Sequence, residues 1–250
     1  MRLIKTALFL CFLIVLYSCK SDKKTKNLGH EKAIEIVPVN HGTLVIKSEN
    51  YNFYVDPVGG ADKFSNYENA DFVLITDIHG DHLNIETLQA LNLSNTTVIA
   101  PKAVVNKLPK NIAKTVVTLN NNDTFGDDNL KIEAIPMYNL REEALNFHTK
   151  GRGNGYVINL NNQRIYISGD TEDIPEMRNL KNIDIAFVCM NLPYTMTVES
   201  AASAVLDFKP KKVYPYHYRG KGMMGDVYAF KNKVNTKNPD IDVVLLNWYN

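Results

Sequence analysis

The chain has 250 residues, 45% of them hydrophobic and 10% aromatic, enough to bury one large core or two layers that close on each other. Its 28 basic and 27 acidic residues are interspersed and leave a formal net charge of +1, so there is no electrostatic footprint for non-specific nucleic-acid binding, and a polyanionic substrate is disfavoured.

At the N-terminus, Met1 to Lys5 is basic, Ala7 to Tyr17 is almost wholly apolar, and Ser18-Cys19 precedes a lysine-rich stretch. That is the layout of a secretory signal, and the apolar run is too short for a membrane span. Residues 1–18 are therefore expected to be a signal peptide, 19–32 a polar tether, and 33–250 the folded domain. Cys189, inside the apolar run Ala186–Met190, reads as a small core residue.

The mature chain opens with short β-rich runs at Ile34–Val39, Leu44–Lys47 and Phe53–Val55, bounded by turn residues such as Asn40, Gly42 and Asn50. Strand Phe72–Ile75, a helix from Ile85 to Leu91, strand Val98–Ala100 and a helix entered at Pro101 follow in α/β alternation. Next come strands Lys131–Ile135, Tyr156–Leu160 and Arg164–Ile167, the last two joined as a hairpin. The third section predicts strand Ile183–Met190, a helix near Val198 capped by Thr197, strand Val213–Tyr216, a helix over Val227–Lys233 and a final strand Val243–Leu246. Two β-rich blocks, each with helices, predict an α+β fold: an αββα sandwich of two facing mixed sheets with helices outside.

The densest chemistry is Thr76-Asp77-Ile78-His79-Gly80-Asp81-His82, two imidazoles and two carboxylates in one turn after a buried strand. Asp77, His79, Asp81 and His82 on a loop fixed by that strand suit a transition-metal site, and Gly80 is expected to supply the loop's unusual φ angles. Ser168-Gly169-Asp170-Thr171 and Pro215-Tyr216-His217-Tyr218 each place one further ligand type just past a strand. Asp170 is the candidate bridge between two cations, since a carboxylate can hold a pair about 3.5–4 Å apart.

In this order the motifs resemble the metallo-β-lactamase-fold hydrolases, over nearly all of the chain from Ile34 to Asn250. Asn40-His41-Gly42-Thr43 and Val55-Asp56-Pro57 are similar to the branch that includes L-ascorbate-6-phosphate lactonase and the N-acylphosphatidylethanolamine phospholipase D type. Leu16-Tyr17-Ser18-Cys19 resembles a bacterial lipobox, which implies lipid attachment at Cys19 and a place in the bacterial cell envelope, on the periplasmic or surface side.

Two positions depart from the family pattern. Asp77 stands where the first motif usually begins with His, which would harden that site and tilt it from Zn toward Mn or Fe, or leave it weak or empty. Met137-Tyr138-Asn139 stands where a His ligand is usual, and His148 is the residue expected to swing into the vacancy. The resemblance then implies two divalent ions (Zn, or Mn/Fe), one held by Asp77, His79 and His148, the other by Asp81, His82 and His217, with Asp170 between. Asp81 would orient the attacking hydroxide and shuttle its proton. His41, Asp56 and Asn139 are the candidate outer partners of the ligands, and Tyr194 and Arg219 the candidate substrate contacts. Lys150–Gly155, basic and glycine-rich, is expected to form a mobile rim or an anion nest.

The expected activity is metal-dependent hydrolysis of a small ester, lactone or phosphodiester. A phospholipid-type phosphodiesterase at the membrane and a non-catalytic metal-binding or ligand-sensing lipoprotein are the alternatives.

Overall fold

The computed structural model describes residues 34–249. The signal peptide, lipobox and tether expected over residues 1–32 lie outside the described residues.

Alternation with period two organises the first sheet. It consists of β1 (Glu35–Asn40), β2 (Thr43–Lys47), β3 (Asn52–Val55), β4 (Phe72–Leu74), β5 (Thr97–Ala100) and β6 (Thr115–Thr118), in that spatial order. The first three strands form an antiparallel meander, and the rest run parallel. Leu44, Ile46, Phe53, Val55, Leu74 and Ile99 face one side and Val45, Tyr54, Val73, Val98 and Ala100 the other, as the pleat requires. The second group packs under α1 (Ile85–Ala90) and α2 (Lys102–Val105) through Leu88 and Val104. The Asn84 side chain starts α1 by accepting from Thr87 N–H.

The second sheet contains β7 (Thr124–Gly126), β8 (Leu130–Met137), β9 (Gly153–Leu160), β10 (Gln163–Ile167), β11 (Ile185–Cys189), β12 (Lys212–Tyr216) and β13 (Asp242–Val243). It too begins antiparallel, from β7 to β10, and continues parallel. Ile132, Ala134, Tyr156, Ile158, Ile165 and Phe187 share one buried cluster with the inward residues of the first sheet. The same cluster includes Ala201, Val205 and Phe208 of α4 (Val198–Phe208) and Phe230 and Val234 of α5 (Val227–Lys237), so these helices cover the second sheet. A short α3 (Pro175–Arg178) enters through its N-terminal proline.

The architecture is the α+β sandwich of two mixed sheets, and Thr197 caps α4 as expected, accepting from Ser200 N–H. Several details differ from the sequence reading, among them α3 and the start of β9 at Gly153, inside the segment expected to form a glycine-rich rim. β6 and β7 differ from the expectation: the first is a mostly exposed edge of four residues and the second has only three, so neither offers more than two adjacent apolar side chains. The last strand stops at Val243, with one further backbone bond from Val244 N–H to the Val213 carbonyl at 3.0 Å. Among the described residues no helix is long and apolar enough to cross a membrane.

Candidate metal centre

The loops that follow β3, β4, β10 and β12 converge at one edge of the sandwich. After β3 the chain turns at Asp56, which takes a left-handed φ of 45° and has its side chain fully buried. That carboxylate accepts from Thr76 N–H at 2.7 Å, from Thr76 Oγ1–H at 2.6 Å and from His82 Nδ1–H at 2.8 Å. Burial alone would push the Asp56 carboxyl up, and it does so despite these donors. Asp56 thereby fixes the His82 tautomer and turns the lone pair of Nε2 inward.

Asp170, just past β10, is the hub. Its Oδ2 lies 3.4 Å from His82 Nε2 and 3.2 Å from His148 Nε2, and its Oδ1 lies 3.6 Å from His217 Nδ1. His148 Nδ1 faces the Tyr194 carbonyl at 3.2 Å, which makes Nδ1 the protonated nitrogen and leaves Nε2 as an acceptor. Burial opposes ionisation of Asp170, but His217 and His82 outweigh it and hold the carboxyl well below its usual range. Burial likewise opposes a charged His82, yet Asp170 and Asp56 raise its proton affinity well above the imidazole norm.

Asp81 reaches the same centre from its open side, with Oδ2 3.3 Å from His217 Nε2 and 3.5 Å from His41 Nε2. Its side chain is 43% exposed and borders a cavity of about 290 Å³, also lined by His79, Phe147, His148, Asp170, Asn191 and Tyr194. His41 stacks its ring 3.8 Å from that of His217 and meets the Tyr249 hydroxyl at 2.9 Å. The Tyr249 oxygen also accepts from the N–H groups of Tyr218 and Arg219.

The backbone is held to unusual geometry here: His41 and His217 take φ of 55° and 46°. The glycine requirement falls elsewhere than expected. Gly80 has no left-handed φ, and a Cβ there would meet nothing within 4 Å. Gly42 must stay bare, because a Cβ would sit 2.6 Å from His217 Cδ2, and so must Gly169, with a φ of 60° and a Cβ position 2.5 Å from Met137 Sδ.

Among the described residues, three groups hold ligand atoms within 4.8 Å of one another: His41, Asp81 and His217; Asp77, His79 and His148; His82, Asp170 and His217. The third is fully buried, and His82 Nε2, His148 Nε2, Asp170 Oδ1 and both His217 nitrogens have no hydrogen-bond partner. Buried ligand atoms facing a carboxylate without partners are costly as they stand; a divalent cation would take one nitrogen each from His82 and His217 together with the Asp170 carboxylate, so these residues fit one.

Asp77 is placed differently. Its buried carboxylate is clamped by Arg152, with Nε 3.0 Å from Oδ1 and Nη2 2.8 Å from Oδ2, and His79 Nδ1 lies 2.8 Å from the same Oδ2. Burial works against its charge, but the bonds from His79 and Arg152 keep the carboxyl below its ordinary value. Asn139 donates to the carbonyls of Ala144 and Tyr194 and leaves Oδ1 without a partner. Tyr194 lines the cavity, whereas Arg219 is exposed and lies over the Tyr249 ring at 4.8 Å.

Sequence reasoning did not give Arg152, Tyr249, Thr76 or Glu172 these places. Arg152 lies in the basic, glycine-rich run Lys150–Gly155, and the signal that could single it out is the unusual Asp77, a buried carboxylate that needs a cation. Glu172, 3% exposed, accepts from Leu140 and Arg141 N–H and from Arg141 Nε, while Arg141 Nη2 donates to the carbonyls of Pro193 and Thr195. This staple ties the loop bearing Asn139 to the loop bearing Tyr194.

A family described as "Beta-lactamase superfamily domain" matches residues 51–218. A UPF0173 metal-dependent hydrolase of Thermococcus onnurineus is 31% identical over 173 residues, covering 67% of this chain and 76% of that protein. The crystal structure of a proposed metal-dependent hydrolase from Parabacteroides distasonis superposes with a TM-score of 0.75 at 39% identity, covering 88% of this chain and 94% of that one. Igni18, a metallo hydrolase of Ignicoccus hospitalis, shares the fold with a TM-score of 0.71 at 19% identity, over 87% and 96% of the two chains. The chain therefore belongs to the metallo-β-lactamase superfamily, as a metal-dependent hydrolase of the UPF0173 kind.

Proposed function

We propose that the chain hydrolyses a small ester, lactone or phosphodiester at a centre of divalent metal, Zn or Mn/Fe, held by His82, Asp170 and His217 with Asp81 at the open side. Of the two ions that the resemblance implies, this is the set on which the reading rests. The observation that carries it is the convergence of unpartnered lone pairs from His82, His148 and His217 on the buried Asp170.

When bound there, a divalent cation supplies Lewis acidity and acidifies water. Everything else falls to side chains. Asp56 and the Tyr194 carbonyl hold His82 and His148 in the tautomers that face inward. Asp81, open to the cavity, is placed to take the proton of an attacking water and pass it to the leaving group. Phe147 and Tyr194, packed edge to face at 5.0 Å, wall the cavity and restrict it to a small acyl or phosphoryl group. A lipid anchor at Cys19 would hold this domain at the cell envelope; that part of the reading rests on sequence.

Metal analysis by inductively coupled plasma mass spectrometry, followed by a panel of p-nitrophenyl esters, lactones and bis(p-nitrophenyl) phosphate, tests the reading. Bound Zn, Mn or Fe and a rate abolished by chelation and restored by that metal are expected. Metal-free protein that takes up none on titration overturns it.

A further inference from the structure

The two halves of the centre are built differently. Around His82, Asp170 and His217 the donors face one another with no competing cation. Around Asp77 the cation is already there: Arg152 meets both carboxylate oxygens, is about one-fifth exposed, and is itself anchored by donating to the Phe147 carbonyl. A guanidinium keeps its charge at every working pH, so it occupies Asp77 permanently. The other position that departs from the family pattern behaves likewise, since the Asn139 amide nitrogen is committed to two carbonyls. What remains in this half is imidazole, from His79 and His148.

We propose that the centre takes one divalent cation tightly, at His82, Asp170 and His217, and that Arg152 supplies the positive charge of the other half in place of a second ion. Asp77 is then the counter-ion of Arg152 and the acceptor that orients His79 through Nδ1, not a metal ligand. A second ion would have to share Asp77 Oδ2 with the guanidinium. Like charges at that range in a partly buried site cost roughly two orders of magnitude or more in affinity. The inference rests on the metal-hydrolase reading above and fixes its stoichiometry.

The test is isothermal titration of the chelator-stripped full-length chain in detergent with Zn²⁺ and with Mn²⁺, checked by elemental analysis. One tight equivalent is expected, with any second at least about 100-fold weaker. Asp77→Asn keeps the one tight equivalent. The double variant Asp77→His with Arg152→Gln, which returns an imidazole and removes the guanidinium, gains a second tight equivalent, its fold being verified by circular dichroism. Two tight equivalents in the wild type, one of them lost in Asp77→Asn, overturn the inference while leaving the hydrolase reading intact. No tight equivalent overturns both. Should the double variant misfold, the wild-type stoichiometry and Asp77→Asn still decide.

Discussion

A methyl group at position 42 would sit 2.6 Å from His217 Cδ2, and nothing nearby is free to yield. His217 is fully buried, stacked at 4.9 Å on His82 and held by a left-handed backbone. Gly42→Ala is therefore expected to cost about 1–3 kcal/mol and, if His217 holds the proposed cation, to weaken metal binding, because the methyl must displace its ring. Thermal melts and metal titration of the variant check this, and unchanged values in both would remove Gly42 from the account. Cys189 makes the opposite case, of a reactive group with no reactive role. Burial, and secondarily the Asp170 carboxylate, pushes its thiol up to about 12, and its side chain is fully enclosed. At pH 8 the native thiol should resist iodoacetamide and be modified only in denaturant, as peptide mapping would show; rapid native labelling would mean that this strand opens.

At the scale of elements, the strands of both sheets are fixed by packing, while the loops that carry the ligands are held by a few polar staples. Glu172 and Arg141 form one such staple, between the loop after β8 and the loop after β11. Glu172→Gln is expected to cost about 1–3 kcal/mol and, more tellingly, to raise hydrogen exchange in residues 139–150 and 191–196 while β8 and β9 keep their protection. A uniform rise across the sheet would mean that the staple supports the whole fold. This division also explains what the sequence made readable. Asp56, the 76–82 loop, Asp170 and His217 each follow a short buried apolar run, so strand ends and candidate ligands could be read together. Arg152 pairs with a residue 75 positions away, and Tyr249 reaches His41 across 208; contacts of that kind arise only from the closed sandwich and leave no local periodicity. The edge strands β6 and β7 escaped because they are short, four and three residues, and offer at most two apolar side chains each.

At the scale of the whole molecule, the centre is a junction between the two sheets. His82 belongs to the loop after β4 in the first, and Asp170 and His217 follow β10 and β12 in the second. A cation shared by these residues, as proposed, would link the sheets at the edge where the apolar cluster between them ends and polar side chains take over. Without it, only a proton on His82 offsets the buried Asp170 carboxylate and the His217 nitrogens stay without partners, an arrangement that favours partial separation of the loops. Binding to the folded state alone contributes RT ln(1 + [L]/Kd), or about 2.7 kcal/mol at a hundredfold excess over Kd. For a domain of this size about 1 kcal/mol shifts the melting temperature by roughly 2–4 °C, so chelation should lower it by about 5–10 °C and metal should restore it. The loss should concentrate in the loops of the centre, because Ile132, Ile158, Phe187 and the other inter-sheet side chains are packed whether or not the ion is bound. A melting temperature indifferent to chelator, in protein shown to carry metal beforehand, would mean that the ion does not act as a link between the sheets.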